Sequence, residues 1–203
     1  MIWSEANLLR RLKANDNAAL ELVVERYYEA VFRQLWHLCN DRDVAADLTQ
    51  ETFAQACKAL EGFVGQSSIR TWLYTIAVRA WYRWKEDPAN QHRHQPLEVW
   101  AEVVPDQEIG PAQIAENRAR RRAVQHALHN LPSPYRETLV LFYVQNFKYR
   151  EISEVLDVSI GTVKSRLHEG LKRLKAALAD EHLEENEPST GDKSCEIHKL
   201  KAI

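Results

Sequence analysis

Thirty residues near the C-terminal end, Tyr149 to Leu178, constrain the fold more than any other stretch of this chain. Ile152, Val155 and Leu156 form an apolar stripe at helical spacing, which predicts a short amphipathic helix ending at Asp157. Ser159 then stands where a side-chain oxygen can accept a bond from a free backbone N–H of the next helix, and Gly161 falls in that helix's first turn. Val163, Leu167, Leu171, Leu174 and Leu178 recur at intervals of four and three, so they share one buried side. Opposite them stand Gly161, Thr162, Ser165, His168, Glu169 and Lys172, flanked by Lys164 and Arg166. Two helices joined by a tight turn, the second small at its start and rich in donors, have the build of a helix-turn-helix that enters the DNA major groove. Arg and Lys can reach guanine O6/N7 or a phosphate, Thr and Ser can bond either, and the helix N-terminus favours a phosphate. The same residues also describe the polar outer face of an ordinary helical hairpin. The rest of the chain has to decide.

With 203 residues there is room for one large or two small domains, each with its own core. Helical-period stretches dominate and no alternating strand run stands out, so the expected class is all-α. The net charge of −2 is unlike a free-standing DNA binder, which is usually basic. An asymmetry lies beneath it: from Asp180 to Ile203 seven acidic residues face three lysines, which leaves the remainder positive. Cys39, Cys57 and Cys195 are scattered and odd in number, which implies a reducing compartment and no disulfide framework. The N-terminus lacks the apolar run of a signal peptide, and no stretch approaches the roughly 18 apolar residues of a membrane helix. The expected location is the cytoplasm.

Along the N-terminal half, apolar residues from Leu8 to Leu38 predict a short helix, a turn around Asn15-Asp16-Asn17, and a long helix to about Cys39. Asp41 or Asp43 can cap a third helix whose buried face runs from Val44 to Leu60 and whose other side offers Asp47, Gln50 and Glu51. A loop, Gly62 to Ser68, follows, with Ser67 or Ser68 as the next cap. The fourth helix is expected to pack through Ile69, Trp72, Leu73, Ile76, Ala77, Ala80 and Trp84. Thr71, Tyr74, Thr75, Arg79, Tyr82 and Lys85 would then be exposed, beside Arg70 and Arg83. Rings interleaved with cations are what single-stranded nucleic acid requires, because bases stack on the rings while the cations track phosphates.

Two blocks now combine. D-L-T-Q-E-T-F (Asp47 to Phe53), the loop G-F-V-G-Q-S-S and R-T-W-L-Y-T-I-A (Arg70 to Ala77) closely resemble the second conserved region of bacterial extracytoplasmic-function (ECF) sigma factors of the sigma-70 family. L-P-S-P-Y-R-E-T-L-V-L (Leu131 to Leu141) with the helix-turn-helix stretch resembles their fourth region, and the resemblance spans Asn7 to Leu178 in the family's order.

The resemblance implies two small helical domains, residues 1–87 for core polymerase binding and −10 recognition and melting and 116–179 for −35 recognition, while composition marks 88–115, which holds Pro88, Pro96, Pro105 and Pro111, as a flexible linker and 180–203 as an acidic, disordered tail. The resemblance also implies that Asp47, Gln50, Glu51 and Phe53 dock on core RNA polymerase. Phe63, Gln66, Ser67, Arg70, Tyr74, Arg79, Tyr82 and Arg83 would contact single-stranded −10 DNA and hold an extruded base, whose cost of a few kcal/mol a pocket and stacking must offset. Thr162, Lys164, Ser165, Arg166 and His168 would read the −35 duplex, partly through DNA shape. An anti-sigma factor is the further partner implied.

Two departures from the family pattern matter. H-E-G-L, with Glu169 and Gly170, stands where an Arg-rich run is common, which weakens phosphate attraction and helix propensity. Lys148 stands where a capping Ser or Thr is usual. Within the second domain, Pro132 and Pro134 mark a helix start with Ser133 as its cap. In the tail, Cys195 and His198 offer two ligands, which do not close a tetrahedral zinc site, so no metal or cofactor is expected. No paired carboxylates, nucleophile with base, or phosphate loop appears at meaningful spacing, which excludes an enzyme. The alternative is a stand-alone helix-turn-helix regulator; near-neutral charge favours the sigma reading, since polymerase can supply much of a sigma subunit's affinity.

Overall fold

The computed structural model describes residues 5–14, 16–60, 63, 65–90 and 111–185. Residues 91–110 of the expected linker and 186–203 of the expected tail lie outside the described residues, Cys195 and His198 and the question of a metal there among them; residues 111–115, expected in the linker, and 180–185, expected in a disordered tail, are helical. All regular structure among the described residues is helical, as the all-α reading expects.

Helix α1 spans Glu5–Lys13, α2 Asn17–Cys39, α3 Arg42–Ala59 and α4 Ile69–Glu86. Their limits follow from local chemistry. Asp16 accepts from the Ala18 N–H and caps α2, whose far end closes on Asn40 in the left-handed region at φ 55°. Asp41 accepts from both the Asp43 and Val44 N–H groups at 3.0 Å, making it the cap of α3. Ser68 caps α4 through the Thr71 N–H.

Beyond the linker come α5 (Pro111–His129), α6 (Ser133–Leu139), α7 (Tyr149–Leu156) and α8 (Ile160–Glu185). Ser133 is not a cap: Pro132 holds that position without a side-chain bond, and Ser133 begins the helix proper. The last turn of this segment, Val140–Val144, widens into a π-helix in which Gln145 N–H reaches back to the Val140 carbonyl. A left-handed Asn146 at φ 54° then turns the chain into α7. Lys148 cannot accept a hydrogen bond, yet α7 is capped from the other direction, because the Glu151 carboxylate accepts from the Lys148 N–H at 2.7 Å. Asp157 at φ 53° ends α7, and Ser159 accepts from the Thr162 N–H to start α8.

The helix-turn-helix closes as its leucine pattern dictates, with Val163, Leu167 and Leu174 buried against α5, α6 and α7. Gly170 has a packing role here. A Cβ at this position would sit 3.2 Å from both the Tyr135 Cβ and the Leu139 side chain, so glycine lets α8 lie close on α6. Glu169 in turn pairs with Arg173 at 2.7 Å, whose guanidinium lies over the Tyr135 ring. Replacing Gly170 with Val is therefore expected to cost about 1–3 kcal/mol through overpacking despite the better helix propensity. A thermal melt no lower than that of the parent would refute this packing role.

The two halves share one continuous apolar core. Helix α4 packs against α7, and α2 against α5, α6 and the π turn.

Candidate polymerase and nucleic-acid interfaces

On α3 the acidic face forms as expected, with Asp47, Gln50 and Glu51 exposed. Glu51 is already engaged, accepting from Gln55 Nε2 at 2.6 Å and from the Arg83 guanidinium at 2.9 Å. Phe53 corrects the expectation that it offers surface to a partner. It is 8% exposed and stacks beneath Tyr28 at 6.0 Å, because Leu48, Thr52, Phe53 and Ala56 together form the stripe that faces α2. Tyr28 is the ring at this surface, 37% exposed.

The −10 set divides. Gln66 and Arg79 are exposed, Ser67 is half-buried, and Arg83 is exposed but paired to Glu51. Gly65, at φ +79°, supplies the left-handed turn of their loop. Phe63 is buried and stacks on Trp72 at 4.5 Å with planes 21° apart, so it supports the loop from beneath and cannot meet DNA directly.

Arg70, Tyr74 and Tyr82 correct the expected exposure of this α4 face. Tyr74 is fully buried, donates its hydroxyl to Gln145 Oε1 at 2.6 Å and packs on Phe147 at 4.8 Å. Arg70 donates to the Gln145 carbonyl, its guanidinium 3.9 Å from the Phe147 ring centre. Tyr82 donates to Glu137, and Lys85 donates to Ser133. Thr71, also expected outside, is buried, with its hydroxyl against Ser68. Trp81, absent from the expected core, is 1% exposed beneath the cations of Lys85 and Arg136. Burial, more than the neighbouring arginines, governs Tyr74 and holds its phenol well above the usual range. Tyr82 is raised too, by burial first and then by the Glu137 carboxylate.

The −35 face is closer to expectation, with Lys164, Ser165 and His168 exposed on α8 and Thr162 half-exposed. The Thr162 hydroxyl lies 2.9 Å from that of Ser159, and Ser165 donates to the Thr162 carbonyl at 3.0 Å, so both are preoriented. Arg166 differs: it is half-buried, and its charge is felt by both Glu137 and Tyr82. It faces the inside of the molecule more than solvent. Sequence reasoning passed over Ile160, 44% exposed at the start of α8, and the exposed pair Tyr149 and Arg150 on α7. An aliphatic side chain there can lie against a thymine methyl.

Comparison with known proteins adds an independent line. The family model described as sigma-70 region 2 matches residues 23–89, and that described as sigma-70, region 4 matches residues 121–174. The chain is similar to the ECF RNA polymerase sigma-E factor of Haemophilus influenzae, 31% identical over 169 residues that cover 79% of this chain and 87% of the relative. Among solved structures it is similar to CnrH in complex with the cytosolic domain of CnrY, with a TM-score of 0.64, 20% identity, and coverage of 87% of this chain and 97% of that one. It is also similar to the sigma factor RpoE of Bartonella quintana in complex with the anti-sigma factor NepR, with a TM-score of 0.60, 23% identity, and coverage of 78% and 96%. At these identities the two structures speak to the fold alone.

Proposed function

This chain belongs to the ECF group of the sigma-70 family, and from that premise we infer that it binds core RNA polymerase and directs promoter-specific transcription initiation. The observation that carries this reading is the occurrence of both regions in one chain, in order, each presenting a polar face outside a shared core. Such a protein performs no chemistry of its own. It lends polymerase the ability to select and open a promoter.

Residues 1–87 dock on polymerase through Asp47, Gln50 and Glu51, and handle the −10 strand through Gln66, Ser67, Arg70, Tyr74, Arg79, Tyr82 and Arg83. Residues 116–179 read the −35 duplex through Thr162, Lys164, Ser165 and His168. Phosphate contacts by the cations set register and affinity, and base-edge bonds from Thr162 and Ser165 add discrimination. An anti-sigma factor is the further partner that we assign, since a relative of the same fold was solved with one. The site of action is the cytoplasm, where polymerase works; no helix among the described residues is long and apolar enough to cross a membrane.

Run-off transcription with purified core polymerase on promoter fragments tests the reading. The Gln50→Ala, Glu51→Ala double variant is expected to reduce specific initiation by about ten- to a hundredfold, the range of one or two lost hot-spot contacts. A wild-type protein that shifts duplex DNA alone, yet neither binds core nor directs initiation, would instead be a stand-alone regulator.

A further inference from the structure

We propose that Ile160 and Gly161, the first two residues of α8, form an apolar step that reads the 5-methyl group of a thymine in the −35 duplex, a role that rests on the functional reading above and adds two base-selecting residues to it.

Exposure of a single aliphatic side chain means little by itself. Here its place gives it a use. Ile160 stands seven residues before Leu167, so by the helical period it belongs with the buried stripe of Val163, Leu167 and Leu174. It is nevertheless 44% exposed, whereas all three of those residues are buried. Side chains of a helix lean toward its start, so that of a first-turn residue projects past the end of the core. On the second helix of a helix-turn-helix, that end is the part that meets base edges. The β-branch holds χ1 in nearly one rotamer, so fixing the side chain against a base costs little entropy. Among the described residues Tyr28 and Tyr149 are the other large apolar side chains so exposed, and each carries a hydroxyl. Ile160 has only methyl and methylene groups to offer. In the major groove, the thymine methyl is the apolar group that answers them.

Gly161 supplies independent support. Its backbone is helical, so no left-handed turn requires glycine there. Nor does packing: a Cβ at this position would meet the Ser159 hydroxyl at 3.6 Å, an ordinary contact, whereas one at Gly170 on the same helix would meet Tyr135 and Leu139 at 3.2 Å. Glycine in a helix costs stability relative to alanine. A cost that no contact among the described residues requires points to a body outside the protein, one that comes closer to α8 than a methyl group would allow. The base pair beside Ile160 fits that description. Around this step the polar groups are already held in place. Ser159 accepts from the Thr162 N–H at 3.0 Å, and the Ser165 hydroxyl donates to the Thr162 carbonyl at 3.0 Å. The first turn is therefore set before DNA arrives, with Ile160 and Gly161 as its apolar part.

The test compares thymine with uracil, which lacks only the methyl group. A −35 duplex is first selected from a randomised pool, both by the protein with core polymerase and by the full chain alone, and each of its thymines is then replaced in turn by uracil. Anisotropy with the wild type is expected to show a position at which uracil weakens binding about fourfold, the worth of one buried methyl group. Ile160→Ala should lose that discrimination, and because thymine and uracil are compared within one variant, any change in folding cancels. Gly161→Ala should melt no lower than wild type, yet bind the thymine duplex at least about fivefold more weakly. The proposal is overturned if no position responds to uracil, if Ile160→Ala leaves every uracil effect unchanged, or if Gly161→Ala binds as tightly as wild type. A lower melting temperature for Gly161→Ala would also overturn it, by giving the glycine a role in the fold. Selection by the chain alone with no initiation by core polymerase, and with a uracil effect that Ile160→Ala removes, would strike the sigma assignment and leave the thymine reading standing. Failure to select a duplex under either condition would sink both.

Discussion

Lys164→Glu is expected to lower initiation from a −35-dependent promoter by about a hundredfold, while Arg166→Ala, a substitution at a residue that the sequence pattern ranks beside it, changes promoter binding far less and stability more. Lys164 is exposed in the first turns of α8, just past the small residues Gly161 and Thr162 that allow close approach to DNA. Its ammonium can meet a phosphate or a guanine edge, a contact worth roughly 1–3 kcal/mol, and reversing the charge adds repulsion from the backbone. Away from the core, the substitution should shift stability by no more than about 0.5 kcal/mol. Arg166 stands in another environment, half-buried within the field of Glu137 and Tyr82. Removing it takes a cation from beside a buried carboxyl group, so its cost falls on the fold. Binding measured across a salt series separates the two, since loss of one phosphate contact makes the slope of log affinity shallower by about one. Should Arg166→Ala cost more affinity than Lys164→Glu at unchanged stability, the placement of these two side chains would be refuted.

What the sequence disclosed and what it concealed divide along a physical line. Helices and three of their caps were legible because each rests on contacts within four residues: Asp41 on Val44, Ser68 on Thr71, Ser159 on Thr162; Ser133 was misjudged as a cap because the neighbouring Pro132 takes that position. The helix-turn-helix was legible because its leucines repeat at the helical period and its turn needs a left-handed residue, which Asp157 supplies. The outward face of α4 was misjudged for the opposite reason. Periodicity says which residues share a side of a helix, and it cannot say that a second domain covers the polar side as well. Tyr74 and Gln145 are 71 positions apart, and no local signal couples them. Phe53 and Phe63 were assigned to partners because family motifs mark positions that matter, and both matter by supporting a surface from below. The π turn left no mark either, because V-L-F-Y-V has no polar face to show where the winding changes.

Glu137 carries the second large effect, and its sign is fixed by burial. Its carboxyl group is fully buried, with Oε2 accepting from Tyr82 and Oε1 unpartnered among the described residues. Burial pushes its pKa from 4.5 up to about 7, against the opposing pull of the Tyr82 hydroxyl and of Lys85, Arg136 and Arg166. Below pH 4.5 both the folded and unfolded chains hold the proton, and the neutral acid's advantage in the fold is fully present. Between 4.5 and 7 the unfolded chain releases it first, so stability falls as pH rises, and above 7 the advantage is gone. The whole excursion is worth about 3 kcal/mol at 1.36 kcal/mol per pKa unit. His37 acts in the opposite direction, because burial and then Arg33 lower its pKa to about 4, and its neutral form favours the fold increasingly as pH climbs from there to 6.5. A raw pH profile therefore mixes the two. The difference between wild type and Glu137→Gln isolates the first, since the amide keeps the acceptor for Tyr82 and cannot ionise. The variant should match wild type near pH 4.5 and exceed it by about 2–3 kcal/mol at pH 8, which for a chain of this size is a melting shift of about 5–10 °C. A variant less stable than wild type at pH 8 would mean that Arg136 and Arg166 make the buried carboxylate a net gain, and would sink the argument.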